Sequence, residues 1–151
     1  MRARHLSLGL TIVRSAPPVV ALPIVPVVPR AGVVTAHPVD AVVDTGAPAV
    51  LATMKLARRL GMDLAALRAS RDRPVLPDID GLPLASYGAL LTLTLGDPRA
   101  GDVVALGETP VYFTEAPLGS FQLRLGWAGF LDRVTFTLYG TLGLFDLDRA
   151  D

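Results

Sequence analysis

The sequence predicts a mostly β protein in which short strands form a barrel or a sandwich. Apolar and polar residues alternate in several runs, most clearly from Tyr87 to Leu95 and from Val134 to Leu138. Turn-forming Gly, Pro and Asp residues separate these runs, as in residues 96–101. The chain has 151 residues and 51% of them are hydrophobic, so it can bury the core of one ordinary domain.

The first 30 residues are predicted to form a Pro-rich arm or an edge strand, ahead of a domain that spans residues 31–151. Five prolines interrupt the Val-rich stretch 15–30, and a proline cannot donate a ladder hydrogen bond. A basic start and the apolar run from Leu6 to Val13 form only a weak export signal, because a signal peptide needs a longer apolar core. The location in the cell is left open, with the cytoplasm favoured.

The following residues are predicted to form strands joined by short turns. Residues 33–43 read as two strands with a turn near His37-Pro38, and the second strand runs into Asp44. Later strands are predicted at residues 87–95, 103–106, 110–114, 118–125, 134–138 and 142–147, with one helical turn at residues 126–132.

Two short helices are predicted among these strands. Pro48 suits the first turn of a helix, and residues 49–60 contain good helix formers with an apolar and a basic face. Asp63 is placed to cap a second helix that ends at Ala69. Residues 71–83 are rich in Pro, Asp and Gly, and their last part is expected to form the tip of a hairpin.

Composition and charge exclude several classes of function. Basic and acidic residues are equal in number, 14 of each, so nothing indicates a nucleic acid or an anionic membrane as partner. No stretch reaches the ~18 uncharged apolar residues of a membrane span. The absence of cysteine excludes disulfides, thiol catalysis and Cys-ligated metals. The two histidines, His5 and His37, have no plausible partners for a metal site or a catalytic triad, so no metal or cofactor is expected.

The stretch from Ala41 to Ala47 gives the strongest indication of chemistry. An apolar run ends in Asp44, Thr45 and Gly46, although Asp is depleted in strands and Gly breaks them. Gly46 allows a tight turn directly after the acid. The pattern predicts a carboxylate held on a loop at the end of a core strand. A plain Asp-X-Gly turn without a catalytic role is the alternative.

These residues resemble the active-site loop of the retropepsin-like family, the retroviral-type aspartic proteases. The loop match is Val43-Asp44-Thr45-Gly46-Ala47. A second segment, Leu123-Arg124-Leu125-Gly126 followed by residues 127–134, is similar to the family's second motif, most of all in its bacterial branch. Arg124 departs from that motif, which usually has an aliphatic residue there. The resemblance covers residues 39–147.

The resemblance implies a closed acid-protease β-barrel that forms half of an active site and dimerises. Asp44 would be catalytic, Thr45, Gly46 and Ala47 would complete its loop, and Gly126 would support the loop by close backbone approach. Since the chain has one Asp-Thr-Gly triplet and the chemistry needs two carboxylates that share a proton, a C2 homodimer is expected.

In such a dimer a water activated between two Asp44 carboxylates would cleave an extended peptide or protein substrate. Thr45 would lock the two loops together by hydroxyl-to-backbone hydrogen bonds, as its counterpart in the family does. The resemblance places a flap that closes over the substrate at Ile79, Asp80 and Gly81, and a plain surface loop is the alternative for these residues. The alternative is a catalytically silent module of the same fold that binds peptides or only dimerises.

Overall fold

The computed structural model describes residues 4–13, 20–77 and 81–150, which form fourteen strands, two short α-helices and one 3₁₀ turn at Gly140–Leu142. The strands are β1 (His5–Gly9), β2 (Thr11–Val13), β3 (Val20–Leu22), β4 (Ile24–Ala31), β5 (Val34–Thr35), β6 (Val39–Val43), β7 (Leu51–Thr53), β8 (Val75–Pro77), β9 (Pro83–Ala85), β10 (Tyr87–Leu95), β11 (Val104–Thr114), β12 (Leu123–Leu125), β13 (Val134–Tyr139) and β14 (Leu144–Arg149). The helices are α1 (Met54–Arg59) and α2 (Leu64–Arg68).

Six strands close into a barrel, which confirms the predicted mostly β fold with two short helices. Their order is β10-β11-β7-β12-β6-β4, and β4 pairs with β10 to complete the ring. β12 runs parallel to β6 and β11 runs parallel to β7, whereas the other neighbours are antiparallel. Fully buried side chains fill the interior, among them Val25, Leu93, Leu106, Phe113 and Leu123.

Strand β4 is one of the six barrel strands and pairs on both sides, so the prediction of an arm or edge strand is wrong for residues 24–30. β4 pairs with β6, β5 and β10, and it runs across position 30, the predicted end of the arm. Its two prolines are tolerated because the missing amide donor is on the side of β4 where the neighbouring strand has ended. On that side, which the carbonyl of the same residue also faces, Pro26 accepts from Gly96 and Pro29 accepts from Ala36, and both donors lie outside strands.

The first helix begins later than predicted. Residues 51–53 form β7 between β11 and β12, so tertiary pairing overrides the helix propensity of residues 49–53. α1 starts at Met54, after Thr53 has capped it by accepting a hydrogen bond from the Leu56 amide. α2 is confirmed with its cap, since the Asp63 carboxylate accepts from the amides that follow it.

The two strands predicted at 103–106 and 110–114 are one long strand, β11. Gly107, with φ +83°, lets the strand bend without ending, and the pairing with β10 shifts register at the same place. The Arg133 guanidinium donates to the carbonyls of Leu106 and Glu108 and to the Thr109 hydroxyl, and so holds the bend.

Later boundaries also differ from the predictions. The strand expected at 118–125 is reduced to β12, and the last strand begins at Leu144 because residues 140–142 form the 3₁₀ turn. Residues 126–133 form consecutive hydrogen-bonded turns instead of a regular helical turn. The described residues contain no helix with the length and apolar character that a membrane crossing requires.

A second sheet of three strands, β1-β14-β13, packs beside the barrel. β14 is central, and Leu6 of β1 and Leu147 of β14 add to the buried core. At the edge of this sheet the His5 ring forms a hydrogen-bonded ion pair with Asp148, with 2.7 Å between Nδ1 and Oδ1. This hydrogen bond raises the pKa of the His5 imidazole above its ordinary value.

The raised pKa of His5 predicts a pH-dependent contribution to stability. The ion pair should stabilise the fold fully below about pH 6.5, the unfolded value, and lose its effect as pH rises through the folded pKa. We expect the melting temperature difference between the wild type and His5→Gln to be largest near pH 5 and to shrink towards about pH 9. His37→Gln, at an exposed histidine, is the control. An equal difference at both pH extremes would contradict this assignment.

Candidate active site

Asp44 lies on a tight turn at the end of β6, as predicted. Its amide donates to the Leu125 carbonyl over 3.0 Å, and its carbonyl accepts from the Ala47 amide over 3.2 Å. The Gly46 amide donates to carboxylate oxygen Oδ1 over 2.9 Å. The side chain is 19% exposed. The turn therefore fixes both the backbone and one oxygen of the acid, while leaving the carboxylate at the surface of the barrel.

Segments 44–48 and 125–128 are bound to each other by four hydrogen bonds, and we call this contact the loop junction. The first is the bond from Asp44 to Leu125 just described. The amides of Trp127 and Ala128 donate to the carbonyls of Ala47 and Pro48, each over 3.0 Å. The fourth runs from indole Nε1 of Trp127 to the Thr45 carbonyl, over 2.7 Å. The predicted loop is therefore clamped to the second motif at several points.

Gly126 lies where this junction is tightest. A Cβ atom at Gly126 would lie 2.5 Å from the Ala47 carbonyl oxygen and 2.8 Å from the Ala47 Cβ, and it would also meet the Ala49 carbonyl. Backbone atoms at these distances cannot move aside without shifting the loop. The geometry agrees with the close approach expected for this glycine, and its role in supporting the loop stays a prediction.

Ala47 faces away from solvent into a small apolar cluster outside the barrel core. It is 1% exposed and packs with Leu51, Leu84 and Leu118. Since Leu84 belongs to β9, this cluster places the β8–β9 hairpin beside the loop of Asp44. At the tip, Gly81 has φ +74°, which favours glycine. The other expected flap residues, Ile79 and Asp80, lie outside the described residues, so the flap stays a prediction.

The base of the β8–β9 hairpin is fastened on both sides. The amide and hydroxyl of Ser86 both donate to the Pro74 carbonyl, over 3.2 and 2.8 Å. Next to it, the Glu115 carboxylate accepts from the Arg68 guanidinium and from the Tyr87 hydroxyl. The hydrogen bond from Arg68 is the main reason that the pKa of Glu115 lies below its usual value. These hydrogen bonds hold the base of the β8–β9 hairpin in place.

Arg124 is the nearest charged neighbour of Asp44. The distance from its Nε to Oδ2 of Asp44 is 3.5 Å, and its side chain is only 14% exposed. Nε is buried and, within the described residues, has no hydrogen-bond partner. The sequence marked Arg124 only as a departure from the motif. Arg124 stands between two leucines in a short strand, and this alternation indicates that its side chain lies on the outer face of the barrel. The turn of Asp44 lies on the same side of the sheet.

Comparison with solved structures identifies the fold. The chain is similar to a retropepsin-like aspartic protease from Rickettsia conorii, with a TM-score of 0.57 and 18% sequence identity. The match covers 97% of this chain and 100% of the other one. The chain has the fold of a retropepsin-like aspartic protease. No protein-family model matches the sequence, and no curated protein has a significantly similar sequence.

This retropepsin-like fold brings most of the predicted site residues together. Asp44, Thr45, Gly46 and Ala47 form one turn, and Gly126 lies against it. Thr45 and Gly46 are exposed, and the Thr45 hydroxyl makes no hydrogen bond within the described part of the chain. Trp127 was missed as a candidate, although it directly follows Gly126 and is the one tryptophan of the sequence. It is 54% exposed beside the turn.

The tight approach at Gly126 predicts a large effect of Gly126→Ala. The added methyl group should break the loop junction and lower the free energy of unfolding by about 3 kcal/mol. Chemical denaturation of the purified variant measures this loss. Gly101→Ala is the matched control, because a Cβ there meets no atom within 4 Å, and it should change stability by less than about 0.5 kcal/mol. Equal stability of the two variants would show that the junction is not tight.

Proposed function

We propose that this protein is a homodimeric aspartic endopeptidase in which each subunit supplies one Asp44. The supporting observation is the turn of Asp44 itself, where a carboxylate is fixed by the Gly46 amide and by the loop junction. Such rigid placement is what a catalytic acid or base requires. The retropepsin-like barrel agrees with this chemistry, since the similar solved structure is described as an aspartic protease.

The mechanism requires two carboxylates that hold one proton between them. One carboxylate takes a proton from the attacking water while the other protonates the carbonyl oxygen of the peptide bond. Because each chain has one Asp-Thr-Gly triplet, the second carboxylate comes from a second copy across a two-fold axis. The exposed turn of Thr45 and Gly46 supports this arrangement, because the Thr45 hydroxyl makes no hydrogen bond within the described residues and is available to the partner's loop.

The substrate in this proposal is an extended peptide that lies between the turn of Asp44 and the β8–β9 hairpin. Leu82, which directly precedes β9 and is 64% exposed, offers an apolar side chain suited to contact a peptide. An extended backbone could add its hydrogen bonds to strand edges around the site. This placement also gives the predicted flap its function, which is to close over the bound peptide.

The ion pair of Asp44 with Arg124 favours the second candidate, a peptide-binding or dimerisation module without turnover. In a two-fold dimer each carboxylate would have a guanidinium beside it. The repulsion between two carboxylates is what makes them share a proton, and two cations would offset that repulsion. Peptide binding without cleavage by the wild type would select this candidate.

Asp44→Asn tests the catalytic role directly. The amide keeps the shape of the carboxylate but cannot act as a base, so we expect cleavage of a peptide library to fall about a thousandfold or more. Circular dichroism and thermal unfolding should show a folded protein. Asp40→Asn, on the exposed face of the same strand β6, is the control and should keep full activity. Undiminished cleavage by purified Asp44→Asn would remove this residue from the mechanism.

The shared site also predicts how activity depends on protein concentration. Well below the dimer dissociation constant, the rate should rise with about the square of the protein concentration, because both halves must meet. Sedimentation on the same samples locates the dissociation range. Activity that stays proportional to concentration while the dimer dissociates would exclude a site built from two chains.

A further inference from the structure

Nε of the Arg124 guanidinium is buried and has no hydrogen-bond partner within the described residues. It lies 3.5 Å from Oδ2 of Asp44, which is long for a charge-assisted hydrogen bond. A buried charged donor without a partner destabilises the fold. Arg124 therefore has unused hydrogen-bonding capacity at the site of the proposed chemistry.

Its position places this capacity on the floor of the proposed peptide-binding site. In β12 the flanking residues Leu123 and Leu125 are fully buried in the barrel, so Arg124 projects from the opposite face. Pairing sets Arg124 beside Val42 on one neighbouring strand and Leu51 on the other. Residues paired in this way share a face of the sheet.

The β8–β9 hairpin stands over the same face. Leu84 of β9 belongs to the same apolar cluster as Leu51, the direct neighbour of Arg124, and Leu76 of β8 packs against that cluster. The floor below the hairpin is thus apolar on one side of Arg124 and carries the Asp44 carboxylate on the other. Among the charged side chains of the described residues, Arg124 is the one that pairs with Asp44.

We propose that Arg124 is a specificity-determining residue that binds a carboxylate of the peptide substrate. This inference rests on the proposed function, because it assigns a substrate class to the same site. Arginine binds carboxylates through two parallel hydrogen bonds, and Arg124, whose Nε has no hydrogen-bond partner within the described residues, can offer such a fork. The bound carboxylate would also compete with Asp44 for the guanidinium. The carboxylate comes either from an acidic side chain near the scissile bond or from the end of the peptide chain.

Peptide binding to the Asp44→Asn protein tests this without turnover. The probes are N-acetylated apolar octapeptides in three forms: one internal Glu with an amidated end, Gln at the same position with an amidated end, and Gln with a free terminal carboxylate. Trp127 reports binding by its fluorescence, since it is the one tryptophan and its indole is bonded to the Thr45 carbonyl. The position of the Glu residue is moved along the peptide in successive sets.

We expect the Glu peptide to bind about tenfold more tightly than the Gln peptide at one position in the sequence. Tighter binding of the free-terminus peptide instead would assign the carboxylate to the chain end. Arg124→Leu in the same background should abolish the preference, and Arg124→Lys should keep part of it. Arg99→Leu removes an exposed arginine and should leave the preference unchanged. If Arg124→Leu does not fold, Arg124→Gln serves the same comparison.

Equal binding of all three peptides, or a preference that survives Arg124→Leu, would overturn the inference. Cleavage by the wild type separates this result from the proposed function. Cleavage without an acid preference that depends on Arg124 means that only the inference fails. An acid preference in binding without any cleavage by the wild type means that the peptidase proposal fails, while the carboxylate-binding role of Arg124 stands.

Discussion

The placement of the acid depends on the loop junction between segments 44–48 and 125–128. β6 and β12 are parallel neighbours, so both chains leave the barrel at the same edge and in the same direction. The backbone groups that follow the strands can then pair with each other, as Trp127 and Ala128 do with Ala47 and Pro48. This pairing needs the two backbones closer than side chains permit, and Gly126 provides that space. The turn of Asp44 is held in place because segment 125–128 is hydrogen-bonded to it.

The three residues of strand β12 point in two directions, towards the barrel core and towards the site of Asp44. Leu123 and Leu125 anchor it in the core, and Arg124 between them must point outwards because strand side chains alternate. An aliphatic residue in that place would extend the apolar floor formed by Leu51 and its neighbours. An arginine instead adds a cation beside Asp44, and its buried Nε has no hydrogen-bond partner within the described residues, which is a cost to stability. This one residue changes the charge of the site while the fold around it stays that of an aspartic protease.

The sequence predicted the features that depend on local pattern and missed those that depend on long-range pairing. Alternation predicted β10 at its true limits, and Asp63 marked the start of α2. The acid's turn and the approach of Gly126 were expected from short motifs. In contrast, β7 was read as helix because only its pairing with β11 and β12 makes it a strand. β4 was predicted to be an edge strand because prolines within sheets are usually confined to edge strands. The sequence does not show where the strands that pair with β4 end.

The two sides of the Asp44 turn differ in their exposure to solvent. Ala47 is 1% exposed on the inner side of the turn, whereas Thr45 and Gly46 on its outer side are open and Trp127 is 54% exposed. Exposed indole surfaces are well suited to an interface. A second copy placed there by two-fold symmetry would cover the same surfaces on both subunits. It would also bring two Asp44 carboxylates and two Arg124 guanidiniums together, with no net charge among them. A substrate carboxylate that binds Arg124 would draw the guanidinium away from Asp44 and leave the negative charge of Asp44 uncompensated. Arg124 would therefore oppose turnover in the free protein but select a substrate that carries a carboxylate.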